Sequence, residues 1–322
     1  MAKTDTPPAA SDVAACDVSV VVCTVNRPDM LRKAIDSLVG MNNRHDLSRE
    51  ILVVDNSAEG LWRDLVEGLS EELARTRSVS LRYTSETRMS FAHARNAGVR
   101  ESRGDLLAFL DDDEEASVDW LDELIAAMRE HEADVVFGPV LPVFEGGGPP
   151  DWDPQGLYHT RDTKLPTGTE VKERGTGNVL IRRDRCLTEG EPFDNAMGAS
   201  GGEDVDFFLR LRRRGRKLIW CRTATVTEVQ EQRYQTLPYR SFRNFCQNQI
   251  YVKVQSRNSD SPWWTRLSLM AVGAAQVAIY SLPGVLSMIV MAPPLIGARL
   301  KLFNGLGKLF WMLPARLYAK RY

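Results

Sequence analysis

The sequence predicts an α/β protein with a doubly wound, mostly parallel sheet, followed by a C-terminal helical segment of different character. Three observations predict it. Apolar runs of strand length alternate with helical periodicities, the pattern of a parallel sheet covered by helices. Three of those runs end in polar residues at equivalent positions: Thr24 with Asn26, Asp55 with Asn56, and Asp111 to Asp113. From Leu267 to Ala298 there is no charged residue, and the tail beyond carries Arg299, Lys301, Lys308, Arg316, Lys320 and Arg321 without an acidic one.

After a leader over residues 1–16, rich in Ala, Asp, Thr and Pro, Val18 to Cys23 reads as a buried strand. A helix starts at Pro28, where a missing N–H costs nothing, and carries Met30, Leu31, Ile35 and Leu38 at helical spacing. Ile51 to Val54 is a second strand and Val79 to Tyr83 a third. A helix begun near Ser90 presents Phe91, Ala94 and Val99, then the run Leu106 to Leu110 enters Asp111, and a helix covers about Val118 to His131. Residues 145–176 are rich in Gly and Pro and weakly periodic, which predicts a mobile acceptor-side loop or a linker. A short strand at Asn178 to Ile181 and a helix from Gly201-Gly202 to Gly215 follow.

Polar ends of parallel strands line one edge of the sheet, where open α/β proteins bind ligands. The turn Cys23 to Pro28 has no glycine, and no Gly-x-x-x-x-Gly-Lys loop exists elsewhere, so a bound diphosphate lacks a glycine cradle. A divalent cation held by aspartates would serve instead, since Mg²⁺ typically takes one or two carboxylates plus substrate phosphates. The competing reading of Asp111 to Asp113 is an acidic loop capping the next helix, with Glu114, Glu115 and Asp119 as solvated surface. Asp204, in the first turn after the glycine pair, is either a dipole partner of its helix or a general base.

A net charge of −2 over 322 residues gives no sign of a nucleic-acid partner. The five cysteines are scattered and share no metal spacing with the four histidines, which predicts free thiols and no zinc site. The leader has no apolar core of a secretory signal, so the catalytic part is expected in the cytosol.

Cys23-Thr24-Val25-Asn26-Arg27, Val53-Val54-Asp55-Asn56-Ser57, Ala94-Arg95-Asn96-Ala97-Gly98, Phe109-Leu110-Asp111-Asp112-Asp113-Glu114, Thr176-Gly177-Asn178-Val179-Leu180 and Gly201-Gly202-Glu203-Asp204-Val205-Asp206 together resemble the family 2 glycosyltransferases. The likeness runs from about Val18 to Val254 and looks closest to bacterial exopolysaccharide glycosyltransferases of the succinoglycan type. It implies a GT-A fold over residues 17–258, with a nucleotide-binding half to about 141 and an acceptor half after it. It also implies inverting sugar transfer from a nucleotide sugar, most simply a UDP-sugar, with Mg²⁺ or Mn²⁺. On the donor side it implies Thr24, Asn26, Arg27, Asp55 on the base, Arg95, Asp111 and Asp112. Asp113 and Asp111 match its metal motif, and Asp204 matches its catalytic base. Asn178, Gly202, Glu203 and Arg233 fall in its acceptor or diphosphate region. Two departures stand out: Thr227-Glu228 replaces His-Glu, and Gln230-x-x-Arg233-Tyr234 is similar to a processive-synthase motif but ends in Tyr. A single addition is therefore expected.

The uncharged stretch is long enough to span a bilayer once, which would carry the basic tail to the far side, against the positive-inside rule. Pro283-Gly284 divides it into two arms, each short of a span. A hairpin or in-plane helices over residues 259–322, on the cytoplasmic face of the inner membrane, fit better, with Trp263, Trp264, Phe310 and Trp311 at an anionic interface. A buried soluble helix pair is the other reading. Membrane attachment favours a lipid-linked glycan acceptor. A metal-dependent phosphatase or nucleotidyltransferase, and an inactive carbohydrate-binding scaffold, are the rival functions.

Overall fold

The computed structural model describes residues 16–76, 79–172, 174–197 and 201–313. The first half follows the alternation expected: β1 (Cys16–Thr24), α1 (Pro28–Val39), β2 (Arg49–Asp55), α2 (Arg63–Thr76), β3 (Ser80–Ser85), α3 (Phe91–Glu101) and β4 (Gly104–Asp111). Next come β5 (Glu114–Ala116), α4 (Trp120–Glu130), β6 (Val135–Phe137) and β7 (Val140–Phe144). After a long connection follow β8 (Asn178–Arg182), α5 (Arg183–Cys186), α6 (Glu203–Arg213), β9 (Leu218–Trp220) and β10 (Val226–Gln230). Three helices end the described chain: α7 (Leu237–Arg257), α8 (Pro262–Leu286) and α9 (Pro293–Leu309).

The main sheet has the order β3-β2-β1-β4-β8-β6-β9. Its pairs are parallel except on both sides of β8, which runs against β4 and β6. A small second sheet, β5-β10-β7, stands beside the carboxyl end of β4. Successive strand residues face opposite sides, so each strand feeds two cores. Val20, Val22 and Ile51 pack with Leu31, Ile35, Val66 and Leu124 on one face, while Val21, Leu52 and Phe109 pack with Ala94, Ala97, Phe207 and Phe208 on the other. Covering both faces explains the unbroken apolar runs in β1, β2 and β4.

Glycine sets the depth of one contact. A Cβ on Gly98 would lie 2.6 Å from Val21 Cγ1, so the small residues of Ala94 to Gly98 let α3 settle against β1. The helix begins near Ser90 as expected, and Ser90 caps it by accepting the His93 N–H. The reading of this loop as a solvated helix cap does not hold: Asp113 leads into β5, and Glu114 is wholly buried. The stretch expected to be mobile is tied down by the Asp153 carboxylate, which accepts from Leu157 N, Tyr158 N and His159 Nδ1 at 2.8–3.0 Å.

Pro283 does not divide the C-terminal segment. α8 runs through it for one more turn, because a proline this near a helix end removes a bond where the ladder is already finishing. The break falls at residues 287–292, and α9 returns antiparallel along α8. Gly273 and Gly305 let the backbones touch: a Cβ on either would lie 2.8–2.9 Å from the other's carbonyl oxygen. α9 is sandwiched between α8 and α7, where Lys308 Nζ donates to Asn248 Oδ1 (2.7 Å) and Gln276 Oε1 (3.0 Å). α8 is the outer layer, long and apolar enough to cross a membrane and mostly exposed. The leader, apart from Cys16, and the tail residues Arg316, Lys320 and Arg321 lie outside the described residues.

Candidate active site

Strand register brings the expected polar ends together. Thr24 lies opposite Asp55 across β1 and β2, and Cys23 opposite Asp111 across β1 and β4. Beyond this edge, a cleft is walled by Asp111 to Asp113 on one side, Gly201 to Asp204 at the start of α6, and Glu228 to Gln230 at the end of β10. Tyr234, Tyr239 and Arg243 close the side toward α7.

The aspartates differ in their partners. Asp112, expected on the donor side, accepts from Thr24 Oγ1 at 2.8 Å and from Arg27 Nη1 at 3.3 Å. Burial, reinforced by the charge of Asp113, raises its carboxyl to about 7 despite Arg27. Asp113 also receives Arg27, while its backbone carbonyl takes the Val229 N–H at 3.0 Å, binding the loop to β10. Asp111 is raised by burial, with Asp113 and Glu228 adding repulsion against Arg95 and Arg161. Glu114 is raised further, by burial first and then by Asp111. Its Oε2 accepts the Asp111 N–H at 3.2 Å, and its Oε1 receives Arg161 Nη2 at 2.7 Å. The same guanidinium stands 3.2 Å from Glu228 Oε1.

A hard divalent cation fits this donor set. The carboxylates are oxygen ligands whose mutual repulsion a cation would relieve. Among the described residues no three Asp, Glu, His or Cys side chains converge as a finished metal cage. Asp111 and Asp113 both line the cleft and could supply two oxygens to such a cation.

On the opposite wall, α6 begins after Gly201 (φ +80°) and Gly202 (φ +95°), a backbone region that side chains rarely adopt. A Cβ on Gly202 would also lie 2.4 Å from Ile250 Cγ2 of α7. This turn sets Asp204 in the cleft, with its Oδ1 accepting the Val205 N–H at 2.7 Å. Glu203 beside it is buried and ion-paired to Arg95. Burial raises the Glu203 carboxyl to about 7, Asp204 adds to the rise, and Arg95 opposes it. Asn96 brackets Phe193, donating to its carbonyl (2.7 Å) and accepting its N–H (3.0 Å). Arg95 and Asn96 thus position the approach to α6 from α3.

Four expected residues stand elsewhere. Asp55, expected on the nucleotide base, is fully buried, and its oxygens accept from Ser57 N, Trp62 N and Tyr83 Oη at 2.9–3.0 Å. The segment through Trp62 folds over it because the indole Nε1 bonds Val25 O at 2.6 Å. Asn178 is an internal brace: Trp120 Nε1, Pro139 O and Ala224 O take up its amide at 2.8–2.9 Å. Arg233 is exposed, paired with Glu231 and stacked on Tyr234 outside the cleft. Asn26 is exposed beside Arg27 and does not line the cleft. Conversely, Arg161, Glu114 and Arg243 line or brace the cleft without having been singled out. Glu114 carried the one available signal, a fourth acid directly after the strand end.

The architecture has solved counterparts. S. aureus TarS 1-349 in complex with UDP superposes with a TM-score of 0.51 at 17% identity, covering 90% of this chain and 89% of that one. GalNAc-T7 with UDP, GalNAc and Mn²⁺ gives 0.51 at 19%, covering 76% and 51%. These likenesses establish a GT-A-like mixed sheet with a helical C-terminal region. Residues 19–187 match the glycosyl transferase family 2 model. The chain is 34% identical over 234 residues to succinoglycan biosynthesis protein ExoM of Rhizobium meliloti (strain 1021), covering 73% of this chain and 74% of that protein. Glycosyltransferase AglE of Haloferax volcanii is 25% identical over 58% of each. The chain belongs to glycosyl transferase family 2.

Proposed function

We propose that this glycosyltransferase moves a sugar from a UDP-sugar to a hydroxyl of a lipid-linked glycan, with inversion and one sugar per cycle, in cell-surface or exopolysaccharide synthesis. The observation that carries the reading is one cleft shared by Asp111 and Asp113 at a strand end and Asp204 at a helix start. ExoM bears the name of succinoglycan biosynthesis, and the TarS and GalNAc-T7 structures contain UDP. Both support the choice of donor and product class.

In this mechanism Asp204 Oδ2 accepts the proton of the attacking hydroxyl while Oδ1 stays on the Val205 N–H. The hydroxyl oxygen bonds to the anomeric carbon as the bond to the diphosphate oxygen breaks on the opposite face, which inverts that carbon. Asp111 and Asp113 would hold the Mg²⁺ or Mn²⁺, which when bound supplies the charge that stabilises a departing diphosphate. Arg27 and Thr24 fix Asp112 beside them. The exposed α8 and the basic α9 attach the chain to the cytoplasmic face of the inner membrane, where a lipid-linked acceptor is presented.

The test combines purified full chain, a divalent cation, a panel of nucleotide sugars and membrane extract as acceptor. A UDP-sugar should give product that disappears in chelator, and Asp204→Asn should lower kcat by about 10²–10⁴-fold with little change in donor affinity. Equal product in chelator sinks the metal assignment. Unchanged turnover in Asp204→Asn sinks the base.

A further inference from the structure

We propose that Arg161 is a positioning residue of the cleft, and that the strap carrying it, residues 150–161, makes α9 part of the active-site architecture as well as of the membrane attachment. The strap has two anchors. At one end Trp152 packs with Leu237, Ile296 and Leu300, joining α7 to α9, and its Nε1 donates to Gln235 O at 2.7 Å. Tyr158 stacks on Trp152 and presses against α9 so closely that a Cβ on Gly297 would lie 3.1 Å from its hydroxyl. At the other end the Arg161 N–H bonds Val140 O at 2.9 Å, and its guanidinium bridges Glu114 (2.7 Å) and Glu228 (3.2 Å).

The segment between the anchors is stiff. Asp153 closes it as a turn through Leu157, Tyr158 and His159, with Gly156 at φ +64°, and His159 packs edge-on against Phe144 of β7. A shift at α9 therefore has no slack to absorb it before Arg161. Arg161 in turn acts through Glu114, whose other oxygen takes the Asp111 N–H. The relay is α9, Trp152 and Tyr158, Arg161, Glu114, Asp111. Both contacts are made by one nitrogen, Nη2, so a lysine at 161, whose single ammonium carries three donors, can keep part of the bridge.

The inference rests on the transferase reading only in its kinetic arm. Arg161→Gln and Trp152→Ala should each lower kcat/KM about tenfold or more, and the double variant should fall within about threefold of the worse single one, since residues acting as one unit are not additive. Arg161→Lys should recover part of the loss. Gly297→Ala supplies a milder push on Tyr158 should Trp152→Ala fail to fold. Amide hydrogen exchange on the full chain needs no substrate: Arg161→Gln should speed exchange across the strap, and Gly297→Ala should speed it at Asp111. Multiplicative losses in the kinetic cycle, or exchange unchanged at the far anchor in both variants, overturn the proposal. A wild-type chain that transfers from no nucleotide sugar sinks the transferase reading and leaves the exchange arm standing.

Discussion

Glu203 carries the largest unrelieved electrostatic cost beside the proposed base. It is 2% exposed, its Oε2 meets no partner among the described residues, and Arg95 is the guanidinium paired with it. Its carboxyl is accordingly raised from 4.5 to about 7. A raised acid binds its proton more tightly in the folded chain than in the unfolded one, so its contribution to stability is complete below the unfolded value and lost as pH rises through the folded one. Between about pH 4.5 and 7 the wild type should therefore lose stability relative to Glu203→Gln, by about 3 kcal/mol in total. Denaturant melts across that range check the sign; parallel curves for the two proteins would remove Glu203 as the source. The charge of Asp204, one residue on, adds to that rise, so Asp204→Asn should relieve part of the same cost.

At the scale of elements, the site depends on where α6 starts. Gly202 combines a positive φ with contact against Ile250 of α7, so Gly202→Ala meets two obstacles together. The backbone strain alone should cost about 1–3 kcal/mol. The displaced helix start should lower kcat more than it raises donor KM, because Asp204 moves while Asp111 does not. Adding Ile250→Ala should restore packing but not the backbone term, so stability and kcat should recover only in part; full recovery would show that φ does not matter there. The glycine pair was legible in the sequence, as were the buried runs of β1, β2 and β4 and the helix start near Ser90, since each is a local pattern. The second sheet was not. Glu114, Glu115, Thr227 and Glu228 offer no apolar alternation, and β5 has three residues. The cover over Asp55, Trp62 reaching back to Val25, was not legible because it is a tertiary event. Arg161 sits in an aperiodic stretch whose fold is decided by α9, more than 130 residues later in the chain.

For the whole molecule, the layering of the last three helices bears on the proposed contact with a bilayer. α8 has 25 residues, about 37 Å at 1.5 Å per residue, enough to cross a hydrocarbon core of about 30 Å. Yet it packs along α9, which packs along α7, and α7 closes the cleft through Tyr239 and Arg243. A crossing by α8 would draw in Arg299, Lys301, Lys308 and the polar contacts of Asn248 with them, each costing kcal/mol in hydrocarbon. In the proposed in-plane attachment, α8 offers Ile279 and Leu282, and the turn beyond it Ile289 and Met291, to the acyl region, while Lys301 stays near headgroups and Lys308 stays between the helices. Trp263 and Trp264, at 66% and 70% exposure, mark the other end of the same helix. The full chain should sediment with phosphatidylglycerol vesicles, more weakly at high salt and more weakly on phosphatidylcholine. Leu282→Glu with Ile289→Glu should release it, while transfer to a short water-soluble acceptor stays near the wild-type rate because neither side chain touches the strap or the cleft. Sedimentation unchanged in that double variant would mean that the outer face of α8 is not the membrane contact.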